Sequence, residues 1–312
     1  MRLAEPRDLY YLCVVAVSAL GGRLPSPARD GLGRALGRLA YHLSRTKRRL
    51  VERNVATAFG PGERVDVVHT AFFDFWREMI SWSERLPREG IPIVGLEHLR
   101  GALDAGRGAI LWESAGFGRR LQCKRALNAA GIAVHQIHGP NHLGGLLDED
   151  RFRTRTRALV RRFFDGRERR FVADIVDLPA SDSLAFTRDL LARLARNAVL
   201  CSTGDGRVGQ RLVPLPFLGR TTLFASGMVN LAKLAGASLL PVFCVFGNDG
   251  RLRVVVEAPL RIDRGPDREQ ELRSVLQQYA SLLEAYIRRW PELYRNWHLL
   301  GEFLDDREER AA

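Results

Sequence analysis

The chain has 312 residues, 46% hydrophobic and 27% charged, the composition of a globular protein with one substantial core or two small ones. Intrinsic disorder, collagen-like repeats and a polytopic membrane protein are excluded. Forty-eight basic against 36 acidic side chains leave +12, a charge that draws the molecule towards lipid headgroups, an acidic carrier protein or nucleic acid.

In chain order, the first feature is an uncharged run of fourteen residues, 9–22. As a helix it would rise about 21 Å against a hydrocarbon core of about 30 Å, too short to span. Val17-Ser18-Ala19 resembles a signal-cleavage site, but Glu5 and Asp8 cancel Arg2 and Arg7 in what should be a basic leader. Leucines at 32, 36, 39, 43 and 50, interleaved with Arg34, Arg38, Arg45, Lys47, Arg48 and Arg49, predict one amphipathic basic helix over 28–51. Such a helix lies on an anionic membrane surface and lets the apolar run dip into it. The competing reading packs Leu32, Leu36, Leu39 and Leu43 on the core. The expected division is a membrane-associated helical region, 1–60, followed by an α/β domain, 61–312.

A second helix is predicted over 62–85, with Val68, Phe72, Phe75, Trp76, Met79 and Trp82 at core spacing. After Pro87 and Pro92 the pattern alternates. Strands are predicted at 108–113, 132–138, 171–175, 198–202 and 238–246, with helices at 119–130, 151–164, 183–197 and 226–235 between them. Ser181 or Ser183 caps the helix at 183–197. Asn248-Asp249-Gly250 turns the chain into an antiparallel edge strand at 251–257. A last helix, 269–289, stops at Pro291. The fold class is therefore α/β, a mostly parallel sheet flanked by helices with a helical N-terminal region. Chemistry in such sheets collects beyond the strands' carboxyl ends, here at residues 113–120, 138–145 and 202–220.

Charge is concentrated on this frame. Residues 23–53 hold nine basic side chains against Asp30 and Glu52, and residues 151–170 hold nine against Asp165 and Glu168, so each stretch is +7. Two contact surfaces are the natural reading. Cys13, Cys123, Cys201 and Cys244 form no CxxC pair; they read as buried free thiols in a reducing, cytoplasmic setting, with no metal implied.

Three loops carry candidate chemistry. Glu113 to Arg120 (ESAGFGRR) leaves a strand and enters a helix: Glu113 is a candidate general base, Ser114 and the glycines shape the loop, and Arg119 and Arg120 stand ready to pair with an anion. The second loop offers His135, His138, Asn141 and His142, with His138 the better placed for proton transfer. The third joins Asp205, beside two glycines, to a proline-bounded apolar turn, Val213 to Gly219, and a helix entered through Thr221 and Thr222. Phe217 and Gly219 are expected to shape the pocket there.

RNAVLCSTGDG at 196–206, VPLPFLGRTTLFASGMVNLAKLAGASLLPVF at 213–243 and YASLLEAYIRRWPELYRNWH at 279–298 resemble the bacterial lipid A late acyltransferases, within the glycerolipid acyltransferase superfamily. NVATAFG at 54–60 and VGLEHLRGALDAGRGAILW at 94–112 extend the similarity over roughly residues 30–298. The resemblance implies an acyltransferase without cofactor, peripheral at the cytoplasmic face of the inner membrane, moving an acyl group from acyl carrier protein to a lipid hydroxyl. It also assigns Asp205 to the acid of the family's second block.

The family's signature is a His base followed, after four residues, by an orienting acid. Here Ala115 or Gly116 stands in place of the His, and Arg119 or Arg120 in place of the acid. A rearranged Glu113/His138 pair would supply the missing base. Alternatively, a nitrogen acceptor needs less help than an alcohol, and an aminoacyl-tRNA donor would suit the basic stretches. A third reading is a lipid-binding accessory protein without catalysis.

Overall fold

The computed structural model describes residues 5, 8–85, 89–139, 154–179, 183–205, 211–262 and 267–300. Short apolar runs between helices produce a seven-stranded sheet, in the spatial order β1 (Ile93–Val94), β9 (Leu252–Val256), β8 (Ser238–Phe246), β2 (Ala109–Glu113), β5 (Val199–Thr203), β3 (Val134–His138) and β4 (Asp174–Asp177). Every neighbouring pair is parallel except β8 with β9. This is the expected α/β class, with one correction: β9 is not an edge, because Ile93 and Val94 pair with Val254 and Val255. A two-residue strand is too short to show as periodicity.

Alternation divides the buried strands between two layers. Ile110 and Trp112 face one core with Val51, Val55 and Ala58 of α3 (Arg45–Phe59) and residues of α8 (Leu184–Ala195), α9 (Gly227–Ala235) and α10 (Arg268–Arg289). Ala109 and Leu111 face the other, with Leu99 of α5 (Leu96–Asp104) and Cys123, Ala126 and Leu127 of α6 (Arg120–Ala129). Ser183 caps α8, its hydroxyl accepting from the Phe186 amide.

A third cluster joins α1 (Asp8–Gly21), α4 (Val65–Ser81) and α7 (Arg155–Glu168) through Tyr11, Val14, Trp76, Met79, Trp82, Val160 and Phe164. The aromatic stripe of α4 is core, as its spacing predicts. The long basic helix expected over 28–51 is broken at Ser44 (φ −99°, ψ 63°) into α2 (Ser26–Leu43) and α3. Gly37 explains how closely α2 lies on α4: a Cβ there would stand 2.8 Å from the Phe73 Cα. Leu32 and Leu36 are half-buried, whereas Leu39 and Leu43 are 55% and 74% exposed, so neither expected packing holds for all four leucines. Leu9, Tyr10, Leu12 and Leu20 of α1 are exposed as well. No helix among the described residues is long and apolar enough to cross a membrane.

Residues 213–222 also differ from expectation. They form a hairpin, β6 (Leu212–Phe217) with β7 (Arg220–Ala225), and Thr221 and Thr222 lie in β7 rather than at a helix entry. Leu218 (φ 51°) and Gly219 (φ 75°) make the two-residue turn, both in the left-handed region that hairpin twist requires. Leucine there hides the turn from sequence. It is tolerated because its side chain is buried and its amide donates to Glu284 Oε2 at 3.0 Å.

Candidate active site

The connection leaving β2 runs to β3 and the one leaving β5 runs to β8, in opposite directions across the sheet. The two connections pass each other on opposite faces, through α6 and α9, and in a sheet so built the candidate crevice lies at the strands' carboxyl ends, where Ser114 of the β2 loop and Asp205 of the β5 loop meet. Ser114 Oγ donates to Asp205 Oδ2 at 2.6 Å and accepts from the amides of Gly116 and Phe117 at 3.1 and 3.0 Å. The Ala115 amide donates to Asp205 Oδ1 at 2.5 Å, and the Gly116 amide reaches Oδ2 at 3.5 Å. The amides that open the helix loop are thus occupied by the protein's own carboxylate. Burial pushes the Asp205 carboxyl above its ordinary 3.8, against the pull of these hydrogen bonds.

The crevice is braced from behind. Tyr279 of α10 donates its hydroxyl to the Glu113 carbonyl at 3.0 Å and lays its ring against Trp112. The segment 293–295 clamps the loop itself: the Gly118 amide donates to Leu293 O at 3.1 Å and the Arg295 amide to Gly116 O at 2.8 Å.

Glu113 and His138 do not form the expected pair. Glu113 points to the α6 side of the sheet, bound by Arg120 (Nη2 to Oε1, 2.6 Å), by Lys124 and by Gln136 of β3. Against the push of burial, the charges of Arg120 and Lys124 hold its carboxyl below the usual range, which makes it a weak proton acceptor. His138 lies beyond β5, its Nε2 2.9 Å from Glu168 Oε2 of α7. Each is already engaged elsewhere, Glu113 by Arg120 and Lys124 and His138 by Glu168, and it is Gln136, two residues before His138 on β3, that reaches Glu113. His135, the other strand histidine, sits 2.6 Å from Asp174.

Arg119 is not poised for a ligand either. Its guanidinium donates to Glu78 Oε2 at 2.9 Å and Asp74 Oδ1 at 2.6 Å, and its amide to Glu78 Oε2 at 2.6 Å. It caps α6 in the left-handed region (φ 66°), a conformation that costs about 1–2 kcal/mol and is held by α4. Asp74 and Glu78 escape the sequence reading, hidden among the buried aromatics; two acids four apart on one apolar helix face are the signal that could have found them. Phe217 is enclosed against Phe224, and Gly219 faces Thr57 of α3. Asn141 and His142 fall outside the described residues.

The sequence profile of the family described as "Bacterial lipid A biosynthesis acyltransferase" matches residues 2–300. The chain belongs to this family. It is thereby an acyltransferase. Among its relatives is a protein named phosphatidylinositol mannoside acyltransferase from Mycolicibacterium smegmatis, 27% identical over 276 residues, covering 84% of this chain and 83% of the relative. Proteins of the same name from two Mycobacterium tuberculosis strains are 29% identical over 181 residues, covering 56% of this chain and 52% of each relative.

The space at Gly116, one of the two positions where the resemblance would put a histidine, is filled. A Cβ on Gly116 would stand 2.9 Å from the Asn296 side chain and closer still to the Tyr294 ring. Gly116→His is therefore expected to destabilise the protein by about 1–3 kcal/mol through overpacking and to leave acyl transfer no faster. Urea denaturation together with a turnover assay would check both.

The basic stretches are also partly consumed within the molecule. Arg157 of α7 pairs with Asp8 and Glu5 of the N-terminal region, at 2.9 and 3.0 Å, and Arg161 with Asp165 and Asp177. Arg155, Arg162, Arg169 and Arg170 remain exposed. Of the cysteines, Cys123, Cys201 and Cys244 are buried free thiols; Cys13 is exposed, contrary to expectation, because it lies on the open face of α1.

Proposed function

We propose that this acyltransferase moves an acyl group from a thioester donor, acyl carrier protein in the first instance, to a hydroxyl of a membrane glycolipid, with Asp205 as the proton acceptor. The observation that carries this is the Ser114–Asp205 contact at the β2/β5 crevice, where burial holds the carboxyl above its ordinary range. A carboxylate offers about four lone-pair sites, so the loop donors leave room for a substrate hydroxyl. The acceptor oxygen attacks the thioester carbonyl and its proton passes to Asp205. The carbon–sulfur bond then breaks and the leaving thiolate takes that proton back.

The M. smegmatis relative's name supports a phosphatidylinositol mannoside acceptor. The exposed apolar side chains Leu9, Leu12, Leu20, Leu39 and Leu43, beside the exposed Arg34, Arg38 and Arg45, support peripheral attachment at an anionic membrane surface. Ser114 positions Asp205, and the exposed arginines of α7 suit an acidic donor.

The test presents purified protein with labelled acyl carrier protein and three acceptors: phosphatidylinositol mannoside, a lipid A precursor and a hydroxylamine. Mass spectrometry reads the products. Labelled mannoside is the expected product. Transfer to the hydroxylamine alone would move the acceptor to the nitrogen class and reopen an aminoacyl-tRNA donor, and no transfer to any acceptor would sink the proposed reaction.

A further inference from the structure

Two cations beside the reaction loop lack the contact ion pair with a carboxylate that most buried arginines among the described residues possess. Lys47 lies on α3, half-buried, with its ammonium 5.6 and 5.5 Å from the ring centres of Phe72 and Phe75. Arg295 lies in the segment that clamps the loop, its amide on the Gly116 carbonyl. Among the described residues neither side chain has an ion pair, and Arg295 Nε is shut off from solvent with no acceptor. Such a donor is costly to leave unsatisfied.

Helix geometry explains why they meet. Asn54 stands two turns after Lys47 on the same face of α3, and it donates to the carbonyls of Trp297 and Leu300 at 2.6 and 2.7 Å. The face bearing Lys47 is thereby laid against the segment carrying Arg295. Burial and the charge of Arg295 pull the Lys47 ammonium down to about 8. The nearby acids, Asp74 and Glu78, are already engaged by Arg119, and burial pushes Asp74 towards neutrality. Arg119 and Arg295 thus share two acids, one of them held up, and Lys47 brings a further positive charge beside Arg295.

We propose that Lys47 and Arg295 together hold a phosphate group of a substrate at the edge of the Ser114–Arg119 loop. A phosphate brings acceptor oxygens and the missing negative charge to two preplaced donors. The site rests on the acyl-transfer reading only for which substrate carries the phosphate: the headgroup of a phosphoinositide or the phosphates of a pantetheine thioester.

Binding distinguishes the sources without requiring turnover. Calorimetry with free coenzyme A, and sedimentation with phosphatidylcholine vesicles with and without phosphatidylinositol, are compared for wild type, Lys47→Met, Arg295→Gln and the exposed-charge control Arg49→Gln. Both site variants are expected to weaken one probe by about tenfold or more, with the control near wild type. Loss confined to coenzyme A assigns the phosphate to the donor; loss of the phosphatidylinositol-dependent sedimentation assigns it to the acceptor. Unchanged affinities in the site variants, an equal loss in Arg49→Gln, or no binding of either probe by wild type would overturn the site.

If a variant fails to fold, wild type carries the test alone. The groups facing Lys47 are Arg295, Phe72 and Phe75, with Asp74, Glu78, Arg119 and Arg120 acting on Arg295 and His69 near Phe72 against Tyr41. Among them the lysine titrates near 8, so affinity should fall between about pH 7 and pH 9.5 as its charge is lost. A flat profile would overturn the proposal. An active enzyme with unaltered binding in the variants sinks the site alone, whereas altered binding in an enzyme inactive on every acceptor leaves the site standing and sinks the reaction.

Discussion

Arg119→Met is expected to destabilise the protein by about 3–5 kcal/mol, the cost of stranding buried charge by removing one partner of a buried pair. Asp74 and Glu78 are 4% and 1% exposed, and Arg119 contacts both. Against burial, the charges of Arg295 and Arg119 hold Glu78 below its ordinary 4.5. Its contribution is therefore present above the unfolded value and lost as pH falls through the lower folded one. Without Arg119 the sign reverses for an unpaired carboxyl: its folded pKa rises, and the penalty grows with pH. The gap between wild type and variant should be widest near neutrality and narrow towards about pH 4. Urea unfolding at several pH values measures it. Because Arg295 also lies in the field of Asp74 and Glu78, the compensating variant must remove it too: Asp74→Leu, Glu78→Met, Arg119→Met and Arg295→Met together should recover most of the loss, since apolar groups of similar volume replace buried charge clusters at little cost; a fourfold variant as unstable as the single one would refute the electrostatic cause.

That charge cluster shows where sequence reading succeeds and where it stops. The strand at 108–113 and the helix after it are visible because an apolar run of strand length ends at a Gly-rich turn. Asp205 is legible from its position after β5 within a recognised block. Glu113 and His138 stand out by residue type and proximity to strand ends, but strand order is a long-range property. Only the sheet shows β5 between β2 and β3, and only the side-chain contacts show Glu113 bound to Lys124 and Arg120. The hairpin at 212–225 is hidden because Leu218 stands where asparagine or glycine would announce the turn. Arg295 falls within a recognised stretch but draws no role from it, because its lack of a contact ion pair with a carboxylate is visible only in three dimensions.

Asp205→Asn should retain the fold and lower acyl transfer about 10²–10⁴-fold, the usual range for a lost general base. The amide nearly matches the carboxylate in shape, and its oxygen can still accept from Ser114 or from a loop amide, so the clamp of 293–295 on the loop should persist. What disappears is the negative charge and basicity proposed to act on the acceptor hydroxyl. The pH profile separates this role from scaffolding. Because burial holds the carboxyl above 3.8 and only the ionised form accepts a proton, wild-type kcat/KM should fall on the acid side through a pKa higher than that of an ordinary aspartate. Asp205→Asn should lose that limb and keep only slow residual transfer. Ser114→Ala removes the hydroxyl that donates to Asp205 and accepts two amides, so its acid limb should move upward while activity falls less. If Asp205→Asn turned over at the wild-type rate with the same limb, another base would have to serve the crevice. Glu113 is a poor substitute on geometric grounds, since its carboxylate is directed to the α6 side of the sheet and already engaged by two cations.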